Sequence, residues 1–269
     1  MALLRGYFRT LTRIAPRTAE RQAAALFCFP RRLSHHDVPQ VPAHAHVQHV
    51  AVGQKRITVW IWGEGPRVVL AHGWEGTARD MVPIALALAE RGRSVTVFDM
   101  PAHGASTGKT TTLPEMADAV GAVAHATGTP AAVVGHSLGA AAAVLALRDG
   151  LGASTAALIA PAAEPRLFVR RLADVLGFSD AQRDGLVKQI ERRAGIGIDE
   201  IDSARVARAL TARALILHDP ADRQVPFSHG EALAHAWRGA TLQAVHGLGH
   251  RRVLYDAAAI ERVVAHIVG

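Results

Sequence analysis

The sequence predicts an α/β protein: a mostly parallel central sheet with helices on both faces and a small helical cap. Three observations carry this. Short, wholly apolar runs alternate with helix-length segments along most of the chain, the pattern of a parallel sheet buried on both sides. One strand-to-helix junction holds a serine flanked by glycines. The alternation lapses once, between residues 161 and 213, where a charged, helical stretch without a core strand takes its place.

Taken in order, the chain opens with a basic arm. Seven arginines in residues 1–32 stand against Glu20 alone. Arg5, Arg9, Arg13, Arg17 and Arg21 recur every four residues, which on a helix makes a slowly drifting basic stripe, with Leu4, Phe8, Leu11 and Ile14 largely elsewhere. Pro16 interrupts or restarts that helix. The arm reads as a helix packed on the body with its arginines in water. The alternatives are a weak membrane-surface contact through it and, on composition, an organelle transit segment. Phe27-Cys28-Phe29-Pro30-Arg31-Arg32 closes the arm, and the Pro- and His-rich residues 34–46 form an extended connector.

Runs at 47–52 and 57–62 around the turn at Gly53 predict an antiparallel pair. Strands follow at 68–71, 95–98, 131–134 and 156–159, separated by helices at 78–91, 113–126 and 138–148. After the insertion come a strand at 214–217, a helix at 228–237, a strand at 241–245 and a last helix at 256–268. The expected organisation is arm and connector over 1–46, core over 47–161 and 213–269, and helical cap over 162–212.

Composition narrows the function classes. The chain has 269 residues, 49% hydrophobic and 20% charged, which suits one globular domain with a full core. No run of about 18 apolar residues could span a bilayer. Cys28 is the single cysteine, so no intramolecular disulfide can form. That fact and an N-terminus without secretory-signal features predict a cytoplasmic location. The net charge of +7 sits almost wholly in the arm instead of lining a groove, so nucleic acid is not expected as a partner. No phosphate loop or dinucleotide fingerprint occurs, and no cofactor is expected. His35, His36, His44 and His46 lie in the connector and are not read as a metal site, which needs converging ligands.

The chemistry is concentrated in Gly135-His136-Ser137-Leu138-Gly139. It follows an apolar strand and precedes an alanine-rich helix, the context a nucleophile elbow requires. The sharp turn lifts the serine hydroxyl above the sheet, and the flanking glycines remove side chains that would collide there. The Leu138 amide, at a helix N-terminus, can face a developing oxyanion. A serine needs a base. His250, in Gly247-Leu248-Gly249-His250 between the last strand and last helix, is the candidate, with His246 and His266 as structural competitors. The acid comes from the loop after the preceding strand. Asp222 is preferred there to Asp219, which is better placed to turn the chain with Pro220; Glu164 is a distant third.

With serine, acid and histidine in this order, the stretch from residue 47 to the C-terminus resembles the α/β-hydrolase superfamily, its esterase- and lipase-like members in particular. Ala71-His72-Gly73-Trp74 resembles the family's oxyanion loop, which implies the Trp74 amide as a second donor beside Leu138. Residues 99–106 (Asp99-Met100-Pro101-Ala102-His103-Gly104-Ala105-Ser106) resemble the loop after the next strand, with Ala102 where a glycine is usual. Substrate contacts are expected from His72, Gly73, His136 and His103; His72 is further expected to brace the oxyanion loop and His103 to shape a pocket wall. The expected substrate is a small-molecule ester with a small or medium acyl group, cleaved through an acyl-enzyme. Thioesterase, peptidase and carbon–carbon hydrolase chemistry on the same residues stay open, as does a non-catalytic membrane- or partner-binding role. Leu167, Phe168, Leu172, Val175, Leu176 and Phe178 are expected to form an apolar underside to the cap and so an acyl pocket.

Overall fold

Valine, leucine, isoleucine and alanine fill the short strands, and their burial on both sides sets the architecture. The structure is a computed structural model that describes residues 2–32 and 39–269. Its strands are β1 (His46–Val52), β2 (Lys55–Trp62), β3 (Arg67–Ala71), β4 (Ser94–Phe98), β5 (Ala132–His136), β6 (Thr155–Ile159), β7 (Arg213–His218) and β8 (Ala240–Ala244). They form one sheet in the order β1-β2-β4-β3-β5-β6-β7-β8. β2 runs antiparallel to β1 and β4, and all other neighbours are parallel.

Side chains along each parallel strand alternate between two cores, as the pleat demands. Val68, Leu70, Val134, Ile159 and Leu217 face α3 (Val82–Glu90) and α11 (Ala257–Val268). Val69, Val133, Leu158 and Ile216 face α4 (Leu113–Thr127), α5 (Leu138–Arg148) and α9 (Ser228–Ala236). In α5, Ala140 to Ala143 are buried, and their small side chains let this helix lie close to the sheet.

Two helices of the arm, α1 (Ala2–Ile14) and α2 (Pro16–Phe27), are separated at Pro16, which opens α2 where its missing N–H costs nothing. Beyond β6 come α6 (Pro165–Leu176), α7 (Asp180–Ala194) and a short α8 (Ser203–Ala207). The arm and this insertion share a third apolar core: Phe8, Ala19, Ala23 and Ala24 meet Val169, Ala173, Leu176, Phe178, Leu186 and Ile190. The five repeating arginines remain exposed. Among the described residues no helix is long and apolar enough to cross a membrane.

Three elements differ from expectation. The helix expected at 78–91 opens as a 3₁₀ turn (Ala78–Met81), where the Thr77 amide donates to Asp80 Oδ2 at 2.8 Å, before α3 begins. β5 runs two residues further than expected, through Gly135 and His136, which pair with Leu158 and Ile159. The segment around His250, expected as a tight loop, is a single helical turn, α10 (Gly249–Arg252), too short to register as a period in sequence.

Candidate active site

Open α/β sheets bind ligands at the C-terminal ends of their strands. Here β3 ends at Ala71 opposite Gly135 of β5, and β5 ends at His136 opposite Ile159. The chain then reverses at Ser137, whose φ of 54° and ψ of −119° lie in a sparsely populated region. Such a backbone costs about 1–3 kcal/mol and persists only where neighbours over-determine it. They do: Ser137 N–H donates to the Ile159 carbonyl at 2.9 Å, and the Ser137 carbonyl accepts from Ala140, Ala141 and Ala162. Gly139 packs onto the carbonyls of Ala71 and His72, where a Cβ would overlap them. At Gly73 a Cβ would stand 2.9 Å from that of Ser137, so glycine lets the loop after β3 close on the serine.

The three expected side chains meet in one line. Ser137 Oγ lies 3.0 Å from His250 Nε2, and His250 Nδ1 lies 2.7 Å from Asp222 Oδ2. All three residues are buried. An ionised carboxylate only accepts, so His250 Nδ1 donates to Asp222 and Nε2 is left to accept from the serine hydroxyl. The other oxygen of Asp222 accepts the Gln224 and Val225 amides at 2.7 and 3.0 Å. Burial opposes charge on Asp222, but hydrogen bonds from His218, His250 and Val225 outweigh it and hold the carboxyl well below its usual range. Asp219 does different work: its oxygens accept the Ala221 amide and, at 2.6 Å, the Gly249 amide, tying β7's loop to the turn that carries His250. Glu164 instead pairs with Arg170. His246 is exposed, and His266 bonds the Ala156 carbonyl. Sequence reading missed His218, the last residue of β7. Its Nε2 donates to the Val225 carbonyl at 3.1 Å and lies 3.5 Å from Asp222 Oδ2.

Among the described residues, the amides of Trp74 and Leu138 donate to no backbone acceptor. Two histidines brace the Trp74 loop from behind. His72 accepts the Met100 amide at Nε2 and donates from Nδ1 to the Gly73 carbonyl. His103 accepts the Glu75 amide at Nε2 and donates from Nδ1 to the Pro101 carbonyl. Neither lines the cavity above Ser137, so their expected substrate contacts are corrected: the rings are used up on backbone. Gly73 and His136 do line it. Ala102 sits at φ 67°, which explains why glycine is usual at this position of the loop.

His136 donates to the His250 carbonyl at 2.9 Å. Burial, then the neighbouring His250, lowers its pKa from 6.5 to about 3. Burial and His72 lower that of His103 to about 3 as well. Between 6.5 and about 3 the unfolded chain therefore binds protons that the folded protein refuses, and stability rises with pH across that window. The thermal midpoint is expected to fall as pH is lowered through the window. His136→Gln, which keeps a donor for the His250 carbonyl, is expected to make the fall shallower in melts followed by circular dichroism.

A cavity of about 490 Å³ opens over Ser137 and His250, the size of a small-molecule pocket. Phe168 and Leu172 of α6 line it, as expected. Leu167, Val175, Leu176 and Phe178 do not: Leu176 and Phe178 turn into the core shared with the arm, and Val175 is exposed. The arm supplies lining that was not expected, including Leu26, Phe27, Cys28 and Phe29. Its end is fastened to both neighbouring loops. Arg31 makes a two-pronged ion pair with Glu75, both contacts at 2.8 Å. Arg32 donates to the carbonyls of Gly104, Ser106 and Gly108. Among the described residues no three acidic, histidine or cysteine side chains converge as a metal site would require. His35 and His36 lie outside the described residues.

No curated protein matches the sequence. Solved structures share the fold at low identity. Est1E from Butyrivibrio proteoclasticus, with ferulic acid bound, is 20% identical with a TM-score of 0.66, over 82% of this chain and 96% of that one. An esterase from Exiguobacterium antarcticum gives 20% and 0.66, over 82% and 99%. A Pyrococcus furiosus esterase gives 16% and 0.67, over 89% and 96%. Residues 68–266 match the alpha/beta hydrolase family, a span covering most of the chain from the first parallel strand to the last helix. The chain belongs to the alpha/beta hydrolase family.

Proposed function

We propose that the protein is a serine hydrolase that cleaves carboxylic esters of small or medium acyl groups through an acyl-enzyme. The observation that carries the reading is the hydrogen-bonded line Ser137–His250–Asp222 on the floor of a largely apolar cavity. His250 Nε2 takes the hydroxyl proton as Ser137 Oγ attacks the ester carbonyl, and Asp222 stabilises the imidazolium. The carbonyl oxygen becomes an oxyanion facing the Trp74 and Leu138 amides, an interaction worth about 10²–10³ in rate per donor. The C–O bond breaks and His250 returns the proton to the departing alcohol. Water, deprotonated by His250, then attacks the acyl carbon and releases the acid. His72, His103 and Asp219 hold the loops in register for these steps.

That several proteins sharing this fold are named esterases supports ester over amide or thioester substrates. The single cysteine supports a cytoplasmic place of action. The test is turnover of p-nitrophenyl butyrate beside the matching p-nitroanilide and a butyryl thioester. The ester is expected to turn over fastest. Turnover of the thioester alone would replace ester cleavage with thioester cleavage on the same residues. No turnover of any would favour a non-catalytic binding protein.

A further inference from the structure

The end of the N-terminal arm lies outside the part of the chain that matches the family, yet it walls the cavity over Ser137. Leu26, Phe27 and Phe29 face that cavity from one side, and Phe168, Leu172 and Ile190 from α6 and α7 face it from others. These six side chains are all aliphatic or aromatic. The cations on the wall are Arg31, which pairs with Glu75, and Arg251, the residue after His250. An anionic tail lying among the six would be desolvated without a partner, at a cost of several kcal/mol. An uncharged chain there would gain about 0.8 kcal/mol for each methylene buried.

The arm is also held in place. Its core with α6 and α7 fixes α2, the Thr111 amide donates to the Cys28 carbonyl at 2.8 Å, and Arg31 and Arg32 fasten the segment to the loops after β3 and β4. The Arg31 contact ends on Glu75, next to the Trp74 amide.

We propose that residues 26–31 are a substrate-selecting part of the active site: with α6 and α7 they form a chamber for an uncharged, medium-length acyl chain. This rests on the reading of Ser137 as the acylated residue, because it takes the cavity as the acyl side of the site. Phe27 is its main determinant: of the three large apolar side chains that the arm gives to the cavity wall, Leu26 and Phe29 are exposed, whereas Phe27 is half-buried and packs against the core shared with α6 and α7.

The test is calorimetric titration of the full-length protein with octanoate and with acetate, which needs no turnover. Octanoate is expected to bind wild type and acetate to bind far more weakly. Phe27→Trp narrows the chamber and is expected to weaken octanoate binding about tenfold or more, the scale on which apolar pockets discriminate. Phe27→Ala removes wall contact and is expected to weaken it several-fold, which keeps the test open if the tryptophan variant does not fold. Failure of wild type to bind octanoate, or wild-type affinity in either folded variant, overturns the proposal. Absence of Ser137-dependent ester turnover would instead overturn the reading of the site, and the titration would still report whether the chamber and its arm wall exist.

Discussion

Ser137→Ala is expected to lower kcat on p-nitrophenyl butyrate by about 10⁴- to 10⁶-fold while KM changes little, the loss seen when a serine nucleophile acting as part of a triad is removed. The substitution deletes one oxygen and leaves the elbow standing. Its backbone is held by the Ile159 carbonyl and by three amides that bond the residue 137 carbonyl, none of which involves the hydroxyl. Alanine meets the same φ of 54° that serine already accepts, so the substitution adds no backbone strain and the thermal midpoint is expected to change little. The cavity keeps its lining, which is why binding should survive. Steady-state kinetics on the purified pair decide this. A comparable fall in KM-limited binding, or activity within tenfold of wild type, would contradict the assignment.

Asp222→Asn is expected to cost about 10⁴-fold in kcat, through the tautomer of His250 and not through any loss of structure. The amide oxygen can go on accepting from Gln224 and Val225, which leaves its NH₂ facing His250 Nδ1 at the position of the 2.7 Å bond. A donor there forces the imidazole proton onto Nε2, which then offers Ser137 an N–H instead of a lone pair. Asp219→Asn makes the informative contrast. Its carboxylate receives only backbone amides from the two loops. That change is expected to loosen the His250 turn and lower the thermal midpoint, with a far smaller effect on kcat. A larger loss of kcat in Asp219→Asn than in Asp222→Asn would contradict the choice of acid.

The core of this site was legible in the sequence because its parts are local. A strand, a sharp turn and a helix around Ser137 are contiguous, and the two glycines flanking it report a steric need confined to that corner. Asp222 and His250 could be placed because each follows a strand that a short apolar run reveals. What escaped was non-local. His218 is merely the end of β7 until the loop folds Asp222 back beside it. His72 and His103 carry the residue type of ligand-binding groups, but their ring nitrogens are satisfied by backbone on loops that only the parallel register of β3 and β4 brings together. The aromatic cluster at residues 27–29 signals burial without naming its partner. Arg31 and Glu75 are forty-four positions apart, a contact no periodicity encodes. The division of the cap's apolar side chains is non-local for the same reason: of the six expected to face the cavity, Leu176 and Phe178 pack against the arm instead.

The central claim is that Ser137 is an activated nucleophile, and the most direct measurement is its reaction with a fluorophosphonate, followed by intact mass and peptide mapping. One adduct per chain on the peptide containing Ser137, formed at a rate that collapses in His250→Ala, is the predicted result. No adduct, or an adduct on another residue, would contradict the account.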